Sequence, residues 1–421
     1  MTSISIDGLD VTGLRDPNTQ TALASAHARK VRPLCRCQTP GIPMYVAATA
    51  SGFVVKRMPG SGDRHAPDCT SWQPPPALSG LGQVAGDAIS DNPDDGTTAL
   101  RLGFSLSKTA GRAAPEPGTA SEADSVATDG HKLTLRALLH YLWDEAGLSS
   151  WSPKMTGRRN WRIVSWHLRQ AADNKTAKRQ PLGRRLFVPE PFDVAHKAQQ
   201  SSRRYAMWKS AQATPGKATP LLVACGEVKD IEQARFYHHL RLKHLPDAPL
   251  LLADDVHGRL LKRFEPELEG WAGDPDAHLI AIATFLVNTA GSAVVQQIAV
   301  MLTDAHWLPI ESAAARVLVA AAVNEHRRFR VCLRYNLPAD TPSAALVFSD
   351  TQTPTAAFLI EDLTAPPAAT DEAESDSSSP DSDNQRGVVQ VPGMALWQWN
   401  TDQEMPPLPA RHDWKGNRHD G

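Results

Sequence analysis

Cys35-Arg36-Cys37 and His65-Ala66-Pro67-Asp68-Cys69 gather three of the chain's five cysteines and one histidine in a short N-terminal stretch. A C-x-C pair answered by an H-x-x-x-C pair offers three thiolates and an imidazole, the donor set that suits tetrahedral zinc. Residues 42–58 between the pairs form two apolar runs around Ser51-Gly52, the pattern of a β-hairpin. A hairpin returns the chain to its start, so Cys35 and Cys37 meet His65 and Cys69 at one end. A closed four-ligand site has no open position, and zinc there would build structure rather than activate water. A plainer reading also stands, in which Cys37 and Cys69 are buried hydrophobes and His65 a turn residue.

A second chemistry is electrostatic. Residues 151–210 carry fourteen lysines and arginines against Asp173, Glu190 and Asp193, in a chain whose formal charge is only -2. Trp151, Trp161, Trp166, Tyr205 and Trp208 are interleaved with these cations. Cations beside aromatic rings suit phosphate contact combined with base stacking. The candidate nucleic-acid contacts are Arg158, Arg159, Arg162, Lys178, Arg179, Arg184, Arg185, Arg203 and Arg204, with DNA expected ahead of RNA. The competing reading is a solvated basic face that offsets acidic residues elsewhere in the chain.

A third chemistry concerns carboxylates. The order helix, strand, strand, strand from Glu311 onward resembles the core of the PD-(D/E)xK nuclease superfamily. The resemblance places Glu311 as the helix acid, Asp350 in Val-Phe-Ser-Asp as the strand-end aspartate, and Glu361 in Leu-Ile-Glu-Asp-Leu as the acid of the triplet. In that superfamily such carboxylates hold magnesium, which activates water and neutralises charge on the phosphoryl group. This chain departs from the motif: Leu363 stands at the lysine position, and no lysine occurs between Lys262 and Lys415. Arg334 is a poor substitute, because a guanidinium does not titrate in the working range. The expectation is a nuclease-like fold that has lost catalysis, with an active magnesium-dependent nuclease as the alternative.

The elements that must position these groups read as α/β (α+β). An N-terminal zinc-ribbon-like hairpin module occupies 1–108, followed by a linker at 109–130 rich in Ala, Gly, Pro and Ser. A basic helical region at 131–215 has apolar stripes through Leu133, Leu135, Leu138, Leu139, Leu142 and Trp143 and through Trp161, Ile163, Val164, Trp166 and Leu168. Two helices followed by an extended segment admit a winged-helix module. A mixed-sheet domain resembling a restriction-endonuclease-like core is expected at 216–365, and a helix is expected to carry His238, His239 and His244. The acidic, Pro- and Ser-rich stretch 366–386 is too polar to bury a core. A final strand pair and tail fill 387–421.

Composition narrows the setting. Three clustered cysteines plus Cys225 and Cys332 in apolar runs do not make an even disulfide framework, which points to a reducing cytoplasm. No stretch is long and apolar enough to suggest a membrane span, and the N-terminus lacks an export pattern. Phosphate-cradling glycine loops and a Gly-x-Ser-x-Gly elbow are absent, which counts against a nucleotide-driven motor and a common hydrolase.

Taken with Lys56-Arg-Met-Pro-Gly60, Leu139-His-Tyr-Leu-Trp143 and Leu333-Arg-Tyr-Asn336, the three cysteines and the His65 phrase make the chain resemble the bacterial family known as domain of unknown function 1173. The resemblance runs over most of the chain outside its linkers. Its members occur on plasmids and integrative elements, which implies a role in mobile-element maintenance or transfer beside other mobile-element proteins. A protein-interaction scaffold, with the basic region docking an acidic partner, is the non-catalytic rival to nucleic-acid binding.

Overall fold

Strands Ile42–Thr49 and Gly52–Arg57 pair antiparallel from Met44 opposite Arg57 to Thr49 opposite Gly52, the expected hairpin. They close an antiparallel sheet in the order Leu9–Val11, Ile4–Ile6, Leu34–Cys35, Ile42–Thr49, Gly52–Arg57. Helix Pro17–Ala28 covers this sheet and buries Leu23 and Ala26 against Ile6 and Val46. Asp16 starts it by accepting the N–H groups of Asn18 and Thr19, and Pro17 sits where its missing N–H costs nothing. The computed structural model describes residues 3–11, 13–49, 52–108, 130–360 and 389–412. Glu361, nearly all of the expected linker and the whole 366–386 stretch lie outside the described residues.

In the basic region, helices Leu135–Glu145 and Trp161–Ala172 begin where polar caps precede their apolar stripes. The Thr134 hydroxyl accepts from Ala137 N–H at 3.1 Å, and the Asn160 side chain accepts from Ile163 N–H at 3.2 Å. A hairpin follows, Lys175–Ala177 against Gln180–Pro181, with Lys178-Arg179 as its two-residue turn. It extends a sheet in which Lys175–Ala177 runs parallel to Thr97–Leu100, itself paired with Ile89–Asn92. Helix Lys197–Ser210 then lies largely exposed, burying only Trp208.

The next strands close a circuit. Leu222–Gln233 pairs with His238–Leu242 along its second half, and that strand pairs with Leu245–Leu252. Leu245–Leu252 meets Ala293–Thr303 in parallel at Leu251 opposite Val294. Ala293–Thr303 runs antiparallel to His278–Val287, which returns to residues 222–227 of the first strand. The first strand serves both neighbours because it bends: its register shifts between Val228 and Asp230. At Gly226 any Cβ would sit 2.8 Å from Leu242 Cδ1, so glycine is what lets the ring close on its apolar filling. Helices Asp254–Arg263 and Glu265–Ala272 connect the third and fourth strands. Pro266 lies in the first turn of the second, where its missing N–H costs nothing. His238 and His239 stand on a strand rather than the expected helix, because Leu240 and Leu242 are buried at a spacing of two.

The C-terminal sheet is mixed. After helix Ala313–Asn324, capped by Ser312, strands Phe329–Val331, Leu346–Phe348 and Thr355–Ile360 form an antiparallel meander. Ala395–Asn400 joins Thr355–Ile360 in parallel, and Ser150–Trp151 pairs onto the opposite edge. Where a final strand pair was expected, the described residues form this one strand. One apolar cluster extends from Val84 through the two capped helices and the strand circuit to Trp399.

Candidate metal centre and basic surface

The hairpin brings the two ligand pairs together. Cys35 ends strand Leu34–Cys35, Cys37 follows in the next turn, and a 3-10 turn at Gly62–Arg64 delivers His65 and Cys69 from the other side. Cys35, His65 and Cys69 are buried and Cys37 is half-buried, and the four ligand atoms lie within 4.8 Å of one another. Cys35 Sγ is 3.7 Å from Cys69 Sγ, and His65 Nδ1 is 3.3 Å from Cys37 Sγ and 3.7 Å from Cys69 Sγ. Tetrahedral coordination with bonds of about 2.3 Å to sulfur and about 2.0 Å to nitrogen requires edges of about 3.8 and about 3.6 Å. The cluster can therefore coordinate one metal ion with little movement.

The surroundings favour thiolates once a cation is bound. Ser71 N–H points at Cys69 Sγ from 3.3 Å, and the Cys37 and Ala66 N–H groups bond to Cys35 and Cys37. Without a cation, hydrogen bonding to Cys69 pushes the Cys35 thiol far above its usual range, and burial raises Cys37. A divalent ion reverses this, because it selects the deprotonated ligands. His65 Nε2 is buried and has no hydrogen-bond partner among the described residues, which do not supply the second-nitrogen anchor common to ligating histidines. Sequence spacing identifies the ligands but not these backbone donors. The small core around the cluster comprises Ile42 and Met44, with Val55, Ala66 and Trp72 beside them.

The nine candidate cations separate into two groups. Arg159 donates to the carbonyls of Leu148 and His306, Arg185 to Gln180, Arg203 to Glu190, and Arg204 makes a two-pronged pair with Asp247. Arg159 and Arg204 are built into the fold, whereas the Arg185 and Arg203 contacts lie at the surface and contribute little to it. Arg158, Arg162, Lys178, Arg179 and Arg184 are exposed and form no ion pair with the described residues. Lys178 and Arg179 stand out because both have left-handed backbone, with φ of 50° and 64°. Two-residue hairpin turns of that shape ordinarily use Asn, Asp or Gly, since side chains there cost about 1 kcal/mol or more per residue.

Among the described residues, Asp350 and Glu311 do not assemble into an ion site. Asp350 is buried, and its oxygens accept Arg327 Nε at 3.1 Å, Arg327 Nη2 at 2.9 Å and the Arg328 N–H at 2.7 Å. The sequence suggests a magnesium ligand, whereas the carboxylate here is half of a buried ion pair whose guanidinium also lies over Phe348. Glu311 accepts the Arg334 N–H at 3.1 Å, and Arg334 itself donates to Ser343 and to backbone carbonyls of the loop that follows. Among the described residues, the one group of His, Cys, Asp and Glu close enough to hold an ion is the Cys35 cluster.

The phrases 139–143 and 333–336, far apart in sequence, meet in space. His140 Nδ1 accepts the Tyr335 N–H at 3.0 Å, the Tyr335 hydroxyl donates to Asp144 at 2.7 Å, and Asn336 bonds to Thr134 and Lys132. They lock helix Leu135–Glu145 to the loop after Phe329–Val331. Burial holds His140 neutral well below its ordinary value of 6.5, so the folded state refuses a proton that the unfolded chain takes up below that pH. Stability is therefore expected to fall by up to about 1.4 kcal/mol per unit as the pH drops below 6.5. Urea melts of wild type and His140→Asn, whose amide oxygen can still accept, check this. The variant should lose that part of the acid sensitivity.

Comparison with known proteins supplies one match. A family model described as "Protein of unknown function (DUF1173)" matches residues 10–401. No curated protein and no solved structure matches. Among the described residues, no helix is long and apolar enough to cross a membrane.

Proposed function

The chain belongs to the DUF1173 family, and from that premise we propose that it is a nucleic-acid-binding accessory protein of a bacterial mobile element, built around a structural zinc site. The observation that carries the reading is the Lys178-Arg179 turn. Two cations occupy left-handed positions that glycine or asparagine would fill at lower cost, at the exposed tip of a hairpin whose first strand is buried. Strain kept at the tip of a displayed element is what a functional contact leaves behind. With Arg158, Arg162 and Arg184 the turn supplies exposed charge for a phosphate backbone, and DNA duplex is the favoured target. The two helices and hairpin support a winged-helix reading in which the turn is the wing tip.

The zinc assignment rests on the donor set and the near-tetrahedral separations. The helix, the antiparallel meander and the parallel fourth strand support a nuclease-like sheet. The proposal gives that sheet no cleavage, because Asp350 is committed to Arg327 and the motif's lysine position holds leucine. Other mobile-element proteins are the expected partners.

Replacing Lys178 with Asn and Arg179 with Gly together tests the turn. Relief of the backbone should raise stability in urea by about 1 kcal/mol or more. Duplex affinity should fall, and the slope of log affinity against log salt should shrink by about two, one counterion per lost cation. Unchanged affinity would remove the turn from the interface.

A further inference from the structure

The five-strand circuit has the connectivity of a small Greek-key barrel, antiparallel except where its third and fifth strands run side by side. Barrels of this class present oligonucleotides on the face of strands two and three, between the turn joining strands one and two and the turn joining strands four and five. In this chain those turns are 234–237 and 288–292. Register brings them to the same end of the third strand. His238, just after the first turn, faces Leu252, while Leu251 faces Val294, just after the second. Two strand spacings, about 10 Å, separate the turns.

Both sides of this region carry a cation beside an exposed ring. On the first turn, Phe236 is 74% exposed, with the Arg235 guanidinium 5.0 Å from its centroid. Across the third strand, a groove of about 300 Å³ runs between helix Lys197–Ser210, Leu251 and Gly291. Its wall holds Tyr205, 62% exposed, with Lys209 Nζ 5.7 Å from the ring. Trp208 also lines it, and its indole N–H is buried without a partner. The groove is held in shape: Gln212 Nε2 donates to the Asn288 and Thr289 carbonyls, and Ala213 N–H donates to Val287. Its acid, Asp247, is taken up by Arg204 and Ser201, whereas Lys209 and Arg235 form no ion pair with the described residues.

We propose that this groove binds single-stranded nucleic acid. One base stacks on Tyr205 and its phosphate meets Lys209, and the nucleic acid continues over the third strand to a further base on Phe236 beside Arg235 at the first turn. The strand must be single, since rings offered in a groove can only receive bases released from pairing. Uncompensated cations favour a polyanion over a neutral sugar chain. The inference rests on the nucleic-acid reading above and names a second site with a different substrate form.

Fluorescence anisotropy of the full chain with a labelled oligo(dT) of about 12 nucleotides tests it, with a labelled duplex measured in parallel. Both rings are exposed, so Tyr205→Ala and Phe236→Ala should melt like wild type. Each should weaken oligo(dT) binding about tenfold or more and leave duplex affinity unchanged, while the Lys178→Asn, Arg179→Gly chain does the reverse. Oligo(dT) binding unaffected by either ring substitution overturns the groove assignment. So does displacement of the probe by a neutral oligosaccharide. Duplex binding without oligo(dT) binding sinks the groove and leaves the hairpin reading standing, and binding of neither sinks both.

Discussion

Replacing Cys37 with serine is expected to strip one zinc per chain and unfold the segment around the ligands, residues 34–72. The rest of the module has its own core, where helix Pro17–Ala28 buries Leu23 and Ala26 against Ile6 and Val46, but the ligand-bearing segment has little besides the ion to hold it. Around the ligands lie only Ile42 and Met44 as buried aliphatic side chains, with Val55, Ala66 and Trp72 partly covered. Structural zinc contributes on the order of 10 kcal/mol to small domains that depend on it, more than so few side chains supply by burial. The loss should spread, because the module is fastened elsewhere: Lys56 pairs with Glu145 at 3.4 Å, and Arg328 donates to the Asp68 carbonyl at 3.3 Å. Elemental analysis together with hydrogen exchange checks this. Wild type should carry about one zinc, and Cys37→Ser should carry none and lose protection over residues 34–72. A variant that melts like wild type would return Cys37 and Cys69 to the role of ordinary buried residues.

Asp350→Ala is the second large effect, expected to cost about 3–5 kcal/mol because it leaves the Arg327 guanidinium buried and unpaired. Both side chains are almost wholly excluded from solvent. Arg327 also donates to the Pro409 carbonyl at 2.8 Å, and His412 N–H donates to the Asp350 carbonyl at 2.6 Å, so the pair ties the last described segment to the sheet. A metal ligand behaves in the opposite way: removing one carboxylate from a magnesium site abolishes cutting and relieves repulsion between acids, leaving the fold intact. Chemical denaturation and incubation with supercoiled DNA in magnesium, on the same preparations, separate the roles. A marked loss of stability with no cutting by either protein fits the ion pair. Cutting by wild type that vanishes in a variant of unchanged stability would restore the nuclease alternative.

What the sequence reveals follows from how local each feature is. The Cys/His cluster is legible because two pairs bracket one hairpin, and a hairpin's geometry depends on neighbouring residues alone. The helices starting after Thr134, Asn160 and Ser312 are legible because each cap immediately precedes its apolar stripe. The strand circuit is not, since closing it depends on long-range registers such as Leu222 opposite Phe285, which no local pattern encodes. The basic region shows the same limit. Composition marks all its cations alike, and only the fold reveals that Arg204 is spent on Asp247 while Lys178 and Arg179 are displayed on a strained turn. Asp350 matches a catalytic motif in sequence because the partner that claims it, Arg327, arrives from the start of a neighbouring strand.

A salt titration of duplex DNA binding to the full chain tests the central claim most directly. Measurable affinity at low salt and a linear decline of log affinity with log salt are expected, with a smaller slope when Lys178 and Arg179 are replaced by Asn and Gly. Absence of binding at low salt, or affinity indifferent to added salt, would contradict it.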